Sequence, residues 1–279
     1  MRVFGPTVVK HYVEPRRVRG TQTAYDARRF FESWHAACPA DNLSDADTLA
    51  PGRGAVATRF HYDAVECAIL DCLAGELPEG PRVLDVGSGA GHWLDFYADV
   101  FGARRLVGVE ISRPAAAALR ARYAHTEAVE VVEADVSSPD FDLDEEFEVV
   151  NAIGVMFHIV DDDAWRRAVS NLARRLVPGG FLVVGGQFGR VTQNVQFHAR
   201  DGFASWKEFH ETGPAGEAVL VNKRIRSLRA WRGCAREAGL EVQALRRTVK
   251  SRRIRTPENN VLVLRRPATA PSGRTAARP

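Results

Sequence analysis

Cysteine is scarce in this chain of 279 residues, and its placement excludes two classes of protein. The four cysteines (Cys38, Cys67, Cys72 and Cys234) form no C-x-x-C pair and no Cys/His cluster. Neither a disulfide framework nor a zinc site is therefore expected. No apolar run reaches the roughly 18 residues of a membrane span, and the N-terminus lacks the apolar segment of a signal peptide. These absences predict a cytoplasmic protein without a membrane partner.

Net charge is also small, since 38 Lys/Arg against 35 Asp/Glu give +3. The positive charge is concentrated in residues 246–279, which hold ten Lys/Arg and a single acid, Glu258. A basic region of this kind can bind nucleic acid. No aromatic run is interleaved with it, so a solvated surface and tail is the preferred interpretation, and nucleic acid is not the expected partner.

The most informative stretch is a glycine-rich turn after a short apolar run. Residues 83–86 predict a buried strand, Gly87, Gly89 and Gly91 follow, and an amphipathic helical pattern comes next. Such a turn lets backbone N–H groups approach a cofactor. Dinucleotide folds favour G-x-G-x-x-G, whereas the spacing here is G-x-G-x-G. Asp85 at the end of the strand would repel a pyrophosphate and suits a cofactor that carries an ammonium group.

A second acid has the spacing of a ribose partner. Glu110 ends the short strand 107–110, 19 residues after Gly91, where a carboxylate can accept both ribose hydroxyls. Together with this acid, the motif V-L-D-V-G-S-G-A-G resembles the first motif of the class I S-adenosylmethionine-dependent methyltransferases. The resemblance spans about residues 57–265 and includes E-A-D at 133–135 and L-V-P-G-G-F-L-V-V at 176–184.

This resemblance implies an α/β fold with a Rossmann-like, doubly wound, seven-stranded sheet whose last strand is antiparallel, preceded by an N-terminal helical extension. It also implies S-adenosyl-L-methionine as the cofactor. In the family, an acid after the third strand faces the adenine amino group, and the corresponding acid in this chain is Asp135. The predicted cofactor-binding residues are Asp85, Gly87, Ser88, Gly89, Gly91, Glu110, Ile111, Asp135, Val136 and Asn151.

The predicted organisation has three parts: an N-terminal arm and helical cap over 1–56, the cofactor-binding domain over 57–266, and a disordered tail over 267–279. Apolar spacing predicts helices near 23–38 and 60–73. Helices at this position often cover the cofactor in the resembling family. Three aromatic residues in them are candidates to face a ligand, although packing or surface roles are favoured for each: Tyr25, His61 and Tyr62.

Residues 186–224 lack sustained periodicity but are rich in aromatic and polar side chains. A long insertion after the fifth strand, at the ligand edge of the sheet, predicts a substrate lid. Beyond it, the pattern predicts a helix from Ser227 to Gly239 and then two strands, 241–245 and 260–264, paired as an antiparallel hairpin.

His158 is the candidate catalytic base, because it follows the fourth strand by a few residues and imidazole titrates near neutral pH. A structural histidine is an equally good interpretation. His92 is expected to contact the methionine end of the cofactor or to pack on it, and His198 and His210 are further candidates. The three adjacent acids at 161–163 are interpreted as a helix N-cap with dipole-favoured acids rather than a metal site.

The residues after the fourth strand narrow the acceptor. Methyltransferases that act on the exocyclic amine of adenine or on glutamine have Asn/Asp-Pro-Pro-Tyr/Phe at this position, whereas this chain has Asn151-Ala152-Ile153-Gly154. No Pro-Cys nucleophile follows, which argues against methylation of cytosine C5. The carboxyl end of this strand has no acid to complete a metal site, so no metal is expected. The predicted function is methyl transfer to an oxygen or nitrogen of a small molecule, with specialised metabolites among the candidates. Two alternatives remain: an RNA or protein methyltransferase, and a cofactor-binding module without catalysis.

Overall fold

A computed structural model of the chain describes residues 26–37, 55–188, 192–197, 221–248 and 260–268. The helices within these ranges are α1 (Ala27–Ala37), α2 (Ala55–Leu73), α3 (His92–Phe101), α4 (Arg113–Arg122), α5 (Asp162–Arg174) and α6 (Leu228–Glu237), with a 3₁₀ turn at Met156–His158. The strands are β1 (Arg82–Val86), β2 (Arg105–Glu110), β3 (Val129–Glu133), β4 (Phe147–Ile153), β5 (Leu176–Gly186), β6 (Gln193–Phe197), β7 (Val221–Ile225), β8 (Glu241–Arg246) and β9 (Asn260–Arg265).

Seven strands form one sheet in the order β3-β2-β1-β4-β5-β9-β8. The first five are parallel, and β9 runs antiparallel to both β5 and β8. The strand order reverses between β1 and β4, and open sheets of this type bind ligands at the carboxyl ends of the strands there. The predicted Rossmann-like sheet with an antiparallel last strand is therefore confirmed.

Both faces of the sheet are buried at its central strands, which explains why β1, β4 and β5 are rich in apolar residues. Successive residues of β1 point to opposite faces: Val83 joins the core beneath α2 and α3, and Leu84 joins the core beneath α5 and α6. Val149 and Val150 of β4 alternate in the same way. The two cores hold the sheet flat against its helices and leave its carboxyl edge as the place for a site.

The Pro-Gly-Gly run at 178–180 has the composition of a turn, but it lies within β5. Leu176 already pairs with Phe147 of β4, and the ladder resumes at Phe181 opposite Val149. Residues 177–180 therefore form a bulge inside β5, with Gly179 at φ +86°. The antiparallel pair β6 and β7 was also not anticipated, because its residues lie in the aperiodic stretch 186–224.

The three acids at 161–163 each have a separate role. Asp161 caps α5 by accepting the Ala164 N–H at 2.7 Å, Asp162 binds Arg224, and Asp163 pairs with Arg166 on the surface at 3.2 Å. The predicted cap is confirmed. Ser227 likewise caps α6, as expected, by accepting the Ala230 N–H at 3.2 Å. Within the described ranges, no helix is long and apolar enough to cross a membrane.

Candidate active site

The glycine turn between β1 and α3 is built from three residues with positive φ: Gly87 at +68°, Gly89 at +51° and Gly91 at +96°. A Cβ on Gly87 would collide with Cγ2 of Val155. A Cβ on Gly91 would lie 2.6 Å from the Tyr123 hydroxyl oxygen. Glycine is therefore required at both positions by backbone conformation and by space. The turn brings its backbone to the end of β2, where Gly87 N–H donates to the Val109 carbonyl at 2.7 Å.

Asp85 lies fully buried at the end of β1. Its Oδ1 accepts a hydrogen bond from Asn151 Nδ2 at 2.7 Å, and its Oδ2 has no donor among the described residues. Burial raises the pKa of this carboxyl to about 7, and the hydrogen bonds from Asn151 and Ser88 offset only part of that rise. A buried carboxylate oxygen without a donor suits a ligand that brings a cationic N–H group.

Glu110, at the end of β2, holds the turn in place. Its Oε2 accepts Gly89 N–H at 3.1 Å and its Oε1 accepts Ser112 N–H at 2.9 Å. Burial raises its pKa, while these backbone hydrogen bonds act in the opposite direction. The predicted ribose partner therefore also has a structural role, because it ties the glycine turn to the start of α4. A carboxylate has about four lone-pair sites, so Glu110 can still accept a hydrogen bond from a ligand hydroxyl.

Asp135 follows β3 at the same edge of the sheet. Its Oδ1 accepts both the N–H and the hydroxyl of Ser137, at 2.8 and 2.7 Å. Asp135 lines an open cleft together with Arg28 of α1. The adjacent Val136 is buried, and its carbonyl accepts Asn171 Nδ2 at 2.8 Å. The predicted adenine partner thus stands beside an accessible cleft.

Helix α1 contacts this edge of the sheet. Arg28 Nη1 donates to the Ile111 carbonyl at 3.1 Å, and His35 Nδ1 lies 2.8 Å from Ser112 Oγ. Phe31 accepts from Ser112 Oγ at 3.4 Å and places its ring edge-on to His158, with centroids 5.0 Å apart. These contacts connect the cap, the glycine-turn anchor and the candidate base.

His158 lies half-buried at the end of the 3₁₀ turn after β4. Its Nδ1 has no hydrogen-bond partner among the described residues. Burial, with a further contribution from Lys223, holds its pKa well below the usual value. The imidazole is therefore neutral at physiological pH, which is the form that accepts a proton.

His61, Tyr62 and His92, the other described candidates to contact a ligand, pack together in a cluster. His92 Nε2 lies 2.8 Å from Glu66 Oε1, and its ring stacks on Tyr62 with centroids 3.6 Å apart. His61 and Tyr62 are both buried on α2. Tyr25, His198 and His210 lie outside the described residues.

The site residues identified only in the structure come from distant parts of the chain. Arg28, Phe31 and His35 reach the glycine-turn region from α1, and Val155 closes against Gly87. The apolar periodicity of 23–38 predicted the helix but not its contacts, because those join residues about 80 positions apart.

The geometry fits S-adenosylmethionine. A buried carboxylate oxygen without a donor, a carboxylate fixed at the end of β2, and a turn that must be glycine all meet at the carboxyl edge of the sheet. An acid at the end of β3 completes the set. Asp85, Glu110 and Asp135 are therefore the residues that would hold the amino, ribose and adenine groups.

Comparisons with known proteins agree with this fit. Residues 83–180 match the family model of a methyltransferase domain. An uncharacterised relative from Synechococcus is 30% identical over 128 residues, which are 44% of this chain and 29% of that protein. The chain thus spans less than a third of this relative's length.

Solved structures show the same fold. An N-methyltransferase (NodS) from Bradyrhizobium japonicum bound to S-adenosylhomocysteine matches 85% of this chain and 99% of its own, with a TM-score of 0.53 and 16% identity. An amino pentose methyltransferase of calicheamicin biosynthesis from Micromonospora echinaspora matches 77% of this chain and 93% of its own, with a TM-score of 0.52 and 22% identity. At these identities the likeness concerns the fold.

Proposed function

We propose that the chain is a class I S-adenosylmethionine-dependent methyltransferase, which its match to a methyltransferase domain over residues 83–180 supports, and that it transfers a methyl group to an oxygen or nitrogen of a small molecule. The observation that carries the proposal is the position of His158, whose Nδ1 has no hydrogen-bond partner among the described residues and whose ring lies edge-on to Phe31 of α1. A proton acceptor in this position is what a hydroxyl or protonated amine acceptor requires.

Cofactor binding depends on the three acids at the carboxyl ends of β1, β2 and β3. Asp85 would hold the ammonium group, Glu110 the ribose hydroxyls and Asp135 the adenine amino group. When bound, S-adenosylmethionine supplies a methyl group on a positively charged sulfur, which leaves as a neutral thioether. Since the cofactor is already activated, the protein mainly has to align the acceptor and remove its proton.

His158 is proposed to take that proton. Its lowered pKa keeps the ring nitrogen unprotonated until the acceptor arrives. As the acceptor gives its lone pair to the methyl carbon, the proton it loses passes to the imidazole, so the acceptor gains no net positive charge. Phe31 and Phe157 flank the ring, with centroids at 5.0 and 4.6 Å, and would exclude water from this transfer.

Small-molecule acceptors are supported by the functions of structurally similar proteins. They include the amino pentose methyltransferase and a glycopeptide N-methyltransferase complexed with sinefungin. The aromatic lining beside His158 is consistent with acceptors of this kind.

The test is turnover of the full chain with S-adenosylmethionine and a panel of phenols, carboxylic acids and amines. We expect S-adenosylhomocysteine to accumulate in step with one methylated small molecule. Cofactor binding without S-adenosylhomocysteine from any acceptor class would favour the non-catalytic module. Methylation confined to RNA or protein would favour an RNA or protein methyltransferase.

The RNA or protein methyltransferase alternative rests on the basic C-terminal region, where Arg246 and Arg247 are exposed and two other arginines contact the rest of the fold. Arg265 lies over the Phe181 ring with its guanidinium carbon 5.0 Å from the centroid. Arg266 pairs with Glu146 at 3.1 Å. These two arginines therefore serve the fold, and the remaining evidence for nucleic-acid binding would have to come from salt-dependent association.

A further inference from the structure

A cleft between the first turns of α5 and α6 contains two buried donors without acceptors. Arg226 and Trp165 both line it, and they are only 2% and 3% exposed. Neither Arg226 Nη1 nor Trp165 Nε1 has a hydrogen-bond partner among the described residues. Buried donors are normally satisfied, because an unmade hydrogen bond in the interior costs the desolvation of the group.

The rest of the Arg226 guanidinium is held firmly. Nε donates to Asp162 Oδ1 at 3.1 Å, and Nη2 donates to the Asp161 carbonyl at 3.1 Å. The guanidinium lies over the Trp165 ring with its carbon 4.3 Å from the centroid. Among the contacts of the described residues, Nη1 is thus the nitrogen of the Arg226 guanidinium that still lacks an acceptor.

The cleft also carries an excess of positive charge. Four arginines line it against two acids: Arg166, Arg224, Arg226 and Arg229 against Asp162 and Glu237. Both acids are already engaged, since Asp162 binds Arg224 at 2.9 and 2.7 Å and Glu237 lies 3.9 Å from Arg166. The N-terminus of α6, capped by Ser227, opens into the same cleft and adds its dipole.

Arg226 lies between this cleft and the residues around His158, where the methyl acceptor is proposed to bind. Arg224 and Arg226 also line a small recess formed by Phe157, Gly186 and Gln187, at the ends of the 3₁₀ turn and β5. Phe157 is the neighbour of His158, and its ring carries Lys223 Nζ at 4.6 Å. Strand β7, with its cationic side chains Lys223 and Arg224, therefore lies next to the position where the acceptor is proposed to bind.

From these observations we propose that the α5–α6 cleft binds an anionic group of the methyl acceptor, a carboxylate or a phosphate, through Arg226 Nη1 and Trp165 Nε1. The inference rests on the proposed function and narrows its substrate class to acidic small molecules. It requires no new residue in the cofactor site. A planar arginine is suited to carboxylate and phosphate oxygens.

The first test uses inorganic phosphate and acetate as probes on the full chain, at constant ionic strength set with chloride. We expect saturable binding by calorimetry and a rise in melting temperature. Trp165→Phe keeps the ring that packs edge-on to Trp231 at 4.9 Å and removes one donor, so it should weaken binding about 2- to 10-fold. Arg226→Gln should weaken it more than 10-fold, because a charged donor is lost.

Arg232→Gln is the matched control, because Arg232 is exposed on α6 and does not line the cleft. It removes the same charge and should bind the probes as wild type does. Trp165→Phe covers the case in which Arg226→Gln does not fold. No saturable binding in wild type, or equal affinity in wild type and Trp165→Phe, would overturn the proposal.

The second test separates this inference from the proposed function. With an acidic acceptor that turns over, phosphate should raise KM and leave kcat unchanged. Phosphate that binds without affecting KM would show that the cleft does not hold the acceptor and would overturn the inference. Turnover of neutral acceptors without phosphate binding would refute the anion site alone. Phosphate binding without any turnover would instead refute the proposed function.

Discussion

Asp85 gives the folding stability of this protein a specific dependence on pH. Its pKa rises from 3.8 to about 7 on folding, chiefly because the carboxyl is fully buried. Below pH 3.8 it is protonated in both states and contributes nothing. Between pH 4 and 7 the unfolded chain releases this proton while the folded chain keeps it, so the folded state loses stability as the pH rises. At about 1.4 kcal/mol per pKa unit, the full loss approaches about 4 kcal/mol above pH 7.

Asp85→Asn removes this titration and keeps an oxygen that can accept from Asn151. In urea unfolding without cofactor, we expect the stability gain of the variant over wild type to grow by about 2.5 kcal/mol between pH 5 and pH 8. Asp99→Asn, at an exposed position of α3, controls for the loss of one carboxylate. A gain that is constant with pH, or that shrinks as pH rises, would refute the raised pKa of the buried Asp85 carboxyl.

Two further predictions concern the turn and the base. Gly87→Ala should lower the free energy of unfolding by at least about 1 kcal/mol more than Gly102→Ala does, measured by thermal or urea unfolding. Both glycines have positive φ, but a Cβ would meet a described neighbour, Val155, only at Gly87. Equal losses would show that the collision with Val155 is absorbed. His158→Ala should lower kcat about 100-fold or more and leave S-adenosylhomocysteine affinity unchanged, with exposed His125→Ala as the control. Wild-type turnover would end the role of His158 as base.

The glycine turn and the acids along the sheet edge could be predicted because they depend on short-range patterns. Each acid lies at or just beyond the carboxyl end of its strand, and parallel strands bring these ends together. Glu110 and Gly89, 21 residues apart, do meet in a hydrogen bond. The backbone role of Glu110 was not predictable, since a spacing does not reveal which donors fill a carboxylate's lone pairs.

Other features depend on contacts that no local pattern encodes. The packing of Phe31 on His158 joins residues that lie 127 positions apart in the sequence. The strand β7, V-N-K-R-I, has too little apolar alternation to be identified, and it is held by pairing with β6 and by the ion pair of Arg224 with Asp162. The Pro-Gly-Gly run has the composition of a turn, but pairing on both sides of it makes it a bulge.

The central claim is that the edge of β1 and β2 binds S-adenosylmethionine, and calorimetric titration of the cofactor tests it most directly. We predict saturable binding to wild type and a loss of about 1–3 kcal/mol, or roughly 5- to 150-fold, in Glu110→Ala. Glu130→Ala, which breaks the ion pair with Arg105 at the start of β3, should bind as wild type does. An absence of binding to wild type, or equal affinity in Glu110→Ala, would contradict the account.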